Sequence, residues 1–258
     1  MQKSIYLLPK TIETITTLDD SHVQPYLDSI NSYNNPKARE TLKKVSTQNQ
    51  LFAGSSPFIQ LQLAYMNEEN PGLFPDKSRP ATRQDLELAL AQDHHFLDGT
   101  YTEFGLALKT TEDTYEPNNY LAKTLAKQLE QRNISLGSGK LIPFSALAKP
   151  REDSKSEYGL VFDLNDSATK DNILDLDSFN WDYSRDQGLA RACRDYRDWD
   201  CNYGVLAYSD GGGRVVGVAE VESKNLPTGF SEEELKIAFE TAGIPGNYEL
   251  VRQHLQDI

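Results

Sequence analysis

Apolar positions are sparse along the first 50 residues, and polar side chains dominate there. That spacing predicts helices: one broken at Pro25, and one over Lys37 to Val45 after the break Asn34-Asn35-Pro36. From Pro57 to Met66 the pattern alternates, with Ile59, Leu61 and Leu63 between Gln60 and Gln62, which predicts a strand. Asn70 to Pro80 is rich in Pro, Gly and Asp and is predicted as loop. Thr82, followed three positions later by Asp85, resembles a capping box opening a helix through Leu86, Leu88, Ala89 and Leu90. Leu121, Leu125 and Leu129 repeat at helical spacing behind Pro117. Strands are predicted at Glu103–Lys109, Tyr158–Leu164, Leu189–Cys193 and Arg214–Val221. The last 36 residues are predicted to hold two helices, the first capped by Ser231 and Glu234 and separated from the second by Gly243-Ile244-Pro245-Gly246.

Composition narrows the function classes. With 26 Lys and Arg against 39 Asp and Glu, the net charge is −13 in 258 residues. Phosphate backbones need a basic footprint, so nucleic acid is not an expected partner. No apolar run reaches the length of a membrane span. Aromatic residues at 10% argue for a packed core rather than an acidic disordered chain. The apolar knot Ile5 to Leu8 is too short for a signal-peptide core, so a cytoplasmic location is expected, with display on a particle or surface left open.

Four candidate chemistries are each incomplete. Leu136-Gly137-Ser138-Gly139-Lys140-Leu141 has Ile134 at the first glycine position of a phosphate loop, and Leu141 where a magnesium-binding hydroxyl belongs. Asp93-His94-His95 trails a helix and lacks the further Asp and His ligands of a metal phosphoesterase. The acidic run holding Asp163, Asp166, Asp171, Asp175 and Asp177 puts Ala168 and Leu174 at the glycine and glutamate positions of a calcium loop, so it reads as a solvated loop, with a looser ion site left open. Cys193 and Cys201 fit no thiol or metal spacing. No catalytic residue, metal or cofactor is therefore expected.

Cys193 to Gly213 is different in kind. Its 21 positions contain no Lys, Glu, Gln or Met, residues common elsewhere in the chain or flexible in contact. Tyr, Trp, Arg, Asp, Asn, Ser and Gly replace them. Tyr and Trp supply rigid contact area, Arg a planar fork, and Asp, Asn and Ser adaptable hydrogen bonds. A solvated loop of Gly and Asp is the plainer alternative, but Tyr196, Trp199, Tyr203 and Tyr208 call for a partner or a core. The candidate ligand-binding residues are Arg194, Asp195, Tyr196, Arg197, Asp198, Trp199, Asp200, Asn202, Tyr203, Tyr208 and Asp210.

The frame Leu189-Ala190-Arg191-Ala192-Cys193-Arg194, closed by Gly213-Arg214-Val215-Val216, resembles the end of a C-type-lectin-fold domain. It is most similar to the variable proteins of diversity-generating retroelements and their formylglycine-generating relatives. Arg79 to Glu87 is similar to a helix-opening stretch of that fold, and Asn180-Trp181-Asp182-Tyr183 to its aromatic strand. Gly213-Arg214 lacks the aromatic that such closing strands carry, and the chain runs on to Ile258 where variable segments usually end. The resemblance implies an α+β, C-type-lectin-like domain at 51–222 between helical extensions at 1–50 and 223–258. It implies a segment diversified by adenine-directed mutagenesis, in which Trp199 is fixed and the cysteines are codon outcomes. The implied function is non-enzymatic recognition of a protein ligand, with homo-oligomers allowed. Two alternatives stay open: a copper-dependent thiol oxidase of the formylglycine-generating type, and a phage or particle assembly protein.

Overall fold

The computed structural model describes residues 6–8, 13–69, 79–179, 188–195 and 198–220. The two predicted C-terminal helices and Asn180 to Tyr183 lie outside the described residues, as do Tyr196 and Arg197. The elements, in chain order, begin with β1 (Tyr6–Leu8), β2 (Glu13–Thr17), α1 (Val23–Ile30), α2 (Pro36–Leu42), β3 (Ser46–Gln48), β4 (Leu51–Ala53) and α3 (Pro57–Glu69). They continue with β5 (Arg79–Pro80), α4 (Arg83–Gln92), β6 (Tyr101–Leu108), α5 (Asn119–Gln131), β7 (Lys140–Pro143), β8 (Arg151–Glu152) and β9 (Leu160–Val161). The last are β10 (Leu174–Asp175), β11 (Leu189–Asp195), β12 (Asp198–Asp200) and β13 (Val216–Glu220). The chain is α+β. Among the described residues no helix is long and apolar enough to cross a membrane.

Two antiparallel sheets organise the fold, in the orders β1-β2-β13-β5 and β10-β7-β6-β11-β12. β6 is central and buried along its whole length. Leu106 and Leu108 join a core formed with α1, α2, α3 and α5, whereas Phe104 and Ala107 join a second core with Leu86 and Ala89 of α4. The strand divides its side chains between two cores because both faces of the sheet are covered. Its register with β11 jumps between Ala192↔Gly105 and Cys193↔Glu103, which inserts Phe104 as an extra residue. Such bulges redirect side chains locally.

Two expectations from the pattern are corrected. The N-terminal segment is not a helical extension. Glu13–Thr17 is a strand paired to β13 with Ile15 opposite Val218, and its Thr-Ile-Thr-Thr run is β-branched, which suits a strand. Tyr26, Ile30, Tyr33, Ala38 and Leu42 pack into the same core as Leu106 and Leu189, so residues 13–50 are built into the body of the fold. Pro25 leaves α1 intact, because it sits in the first turn where its missing N–H has no helical acceptor.

The second correction is Pro57–Met66, which is helical. The alternation misleads because residues 57–63 of α3 are all buried, so no polar stripe marks a helix there. Its glutamines are buried with partners. Tyr33 donates to Gln62 Oε1 at 2.7 Å, and Gln60 Nε2 donates to Ser55 Oγ at 3.0 Å. Phe58 stacks on Phe162 with ring centroids 4.4 Å apart.

The Thr82 capping box is formed: Thr82 Oγ1 accepts from the Asp85 N–H, and Asp85 accepts from the Thr82 N–H at 2.8 Å. Burial pushes the Asp85 carboxyl up, but hydrogen bonds from Arg79 and Thr82 outweigh it and hold it below the usual range. A depressed carboxyl adds stability above its unfolded pKa and loses it as pH falls toward the folded value, so this cap weakens in acid. Thr82→Ala should lower the unfolding free energy by about 1 kcal/mol, read from the urea midpoint at neutral pH.

Candidate binding cleft

The residues flanking Cys201 and Leu206 form a loop that is tied down at several points. Cys201 and Leu206 are fully buried. Asn118 Nδ2 donates to Gly204 O at 2.6 Å and to Leu189 O at 2.8 Å, while Tyr158 holds Asn118 Oδ1 at 2.6 Å. Lys44 Nζ donates to Ala207 O at 3.0 Å, and the Asp210 N–H donates to Tyr101 Oη at 3.0 Å. Gly213 is pressed against the neighbouring backbone: a side-chain carbon there would lie 2.5 Å from Ser55 N. A loop fixed in this way has little conformational entropy left to lose on contact.

Between this loop and the ends of β6 and β11 lies an open cleft of about 510 Å³. That volume suits a small ligand or one or two inserted side chains. Side chains alternate along β11, so Arg191, Cys193 and Asp195 face the cleft. Arg191 is only 3% exposed and forms an ion pair with buried Glu103, whose other oxygen accepts the Ser55 hydroxyl. The guanidinium carbon lies 5.0 Å from the ring centre of Tyr101, 5.5 Å from that of Tyr208 and 5.8 Å from that of Tyr203. Cation–π attraction therefore gathers three tyrosines around one buried cation. Tyr203 donates to Asp195 at 2.7 Å, and Tyr208 donates to Asp210.

The hydrogen bond to Asp195, then burial, pushes the Tyr203 phenol up, and the nearby carboxylates add to it. The Tyr208 hydroxyl bond lowers the Asp210 carboxyl against the opposing effect of burial, with further help from the Gly212 N–H. The Asp210 carboxylate is thereby held in the charged form.

The structure sorts the candidate residues. Asp195, Asn202, Tyr203, Tyr208 and Asp210 line the cleft together. Arg194 and Trp199 do not. They are paired across β11 and β12 and share the opposite face, where Trp199 packs edge-on against Phe104 at 5.5 Å. Arg194 lies 5.3 Å and Arg83 lies 4.8 Å from the Trp199 ring centre. Asp198 and Asp200 sit on β12 beside Asp195 and Cys193, and Asp200 accepts the Asn202 N–H. Tyr196 and Arg197 are outside the described residues. Arg191, Tyr101 and Glu103 escaped the composition argument because they precede the unusual segment. A signal for Arg191 was present: it is a lone charge between Ala190 and Ala192 in a predicted strand.

The incomplete motifs take structural roles. Gly137 and Gly139 adopt positive φ in the turn before β7, and Lys140 pairs with Asp175. His95 pairs with Asp98 at 2.7 Å, and Asp163 with Arg151 at 2.7 Å. Compared with known protein families, curated proteins and solved structures, the chain matches none.

Cys193 and Cys201 are both free and buried. Burial pushes the Cys193 thiol well up and the Cys201 thiol up to about 12. The thiolate is the reactive form, so neither side chain is poised for attack. Folded protein should react with a disulfide reagent at pH 8 far more slowly than urea-unfolded protein, in which both thiols should titrate. Rapid reaction of either thiol in the folded state would contradict this placement.

Proposed function

We propose that this chain is a non-enzymatic binding protein that uses a C-type-lectin-like scaffold to present residues 193–213 as a diversified patch to a protein ligand. One observation carries the reading. Of the four exposed large apolar side chains among the described residues, Tyr203 at 45%, Val205 at 43% and Tyr208 at 47% rim the same cleft. Exposed aromatic clusters of this kind mark contact surfaces. Tyrosine adds contact area at low rotamer cost, as in antibody loops.

The scaffold reading draws on connectivity. β11 carries Ala190-Arg191-Ala192, a long loop follows, and β13 closes the domain by pairing with β2 near the other end of the described chain. The half-buried Trp199, packed against Phe104 away from the cleft, suits a fixed residue, whereas Tyr203, Tyr208, Asn202 and Asp210 sit where diversification would change the contact surface. Burial of both thiols weighs against a thiol oxidase on this scaffold.

The test is genomic. A near-copy of the coding stretch for Leu189 to Val216, differing at adenines and lying beside a reverse transcriptase gene, is expected. A complete genome around this gene without such a copy would overturn the diversified reading.

A further inference from the structure

The charges around the cleft do not balance. Arg191 is matched by Glu103. Arg214 donates to Gly211 O at 2.8 Å and Gly213 O at 2.7 Å, and its charge couples to Asp210 without forming an ion pair with it. Asp195 and Asp210 remain, each oriented by a tyrosine hydroxyl and neither within ion-pair distance of a cation among the described residues. Asp200 lies close enough to add to the negative potential at Tyr203. The cleft mouth is therefore acidic even though a cation lies at its floor.

A second feature points to an incoming group. The rings of Tyr203 and Tyr208, 45% and 47% exposed, stand in the same cleft as the two carboxylates. The site thus offers two charged acceptors beside two exposed aromatic rings.

We infer that the cleft receives a basic side chain, arginine in preference to any other, from a loop of the protein ligand. This inference rests on the recognition reading above and specifies its chemistry. An arginine fits because its flat cation can stack on the exposed ring of Tyr203 while its fork reaches Asp195 or Asp210. Charge-assisted forked bonds of that kind are the strong ones. An acidic side chain would add a further negative charge beside Asp195 and Asp210, and a purely apolar one would desolvate both carboxylates without bringing a cation.

The test titrates the full chain by calorimetry with three blocked tripeptides: acetyl-Gly-Arg-Gly-amide and its Glu and Phe counterparts. The arginine peptide should bind at least about tenfold more tightly than the glutamate peptide, and binding should weaken with added salt. The double substitution Asp195→Asn with Asp210→Asn should reduce that affinity about tenfold or more. Asp166→Asn with Asp171→Asn removes the same net charge from the exposed loop before β10 and should leave affinity unchanged. If the Glu or Phe peptide binds as well as the Arg peptide, the preference for a basic group is wrong and the recognition reading stands. If no peptide binds up to its solubility limit, both fall. Equal loss in the two double variants would reduce the effect to net charge and also overturn the inference.

Discussion

Arg191→Met is expected to lower the unfolding free energy by about 3–5 kcal/mol, because it leaves the Glu103 carboxylate buried without its counter-charge. Methionine keeps most of the side-chain length, so the loss reports charge more than volume. Glu103 would retain only the Ser55 hydroxyl, and the tyrosines Tyr101, Tyr203 and Tyr208 would lose the cation they surround. The double variant Arg191→Met with Glu103→Leu should lie closer to the wild type than the single variant, since it removes both charges. Urea unfolding followed by circular dichroism gives both values. A single-variant loss below about 1 kcal/mol would mean that the pair is not buried as described.

Phe58→Ala should cost a similar amount, about 3–5 kcal/mol, by a different route. Phe58 is fully buried, stacked on Phe162 at an interplanar angle of 14° and tilted against Tyr158 with centroids 5.3 Å apart. Deleting the ring removes apolar burial and leaves a cavity between α3 and the segment holding β9. Phe58→Leu should recover part of the loss, and the order wild type, Leu, Ala in urea midpoint is the expected result.

Legibility from sequence followed the physics of burial. The α5 stripe was readable because that helix has one wet face and one dry face. The Thr82 cap was readable because it is a local, side-chain-to-backbone device. The α3 helix was misread because burial of residues 57–63 on every face erases periodicity, and β2 because its β-branched signal spans only five residues. The 193–213 composition located one wall of the cleft. It could not separate Tyr203 from Trp199, since facing in or out of the cleft depends on strand register across a hairpin. Tyr101 on the other wall, and Glu103 buried behind Arg191, come from β6, far away in sequence, and only the β6–β11 pairing brings them there.

The pairing of β2 with β13 also governs when the fold can close. Ile15 meets Val218 across that ladder, so one end of the described chain waits for the other during synthesis. Loop closure over such a separation slows folding more than it weakens the folded state. Until β13 emerges, β2 has an unpaired edge on its β13 side, open to association with another chain. Truncation before Val216 should therefore yield a chain that aggregates during expression.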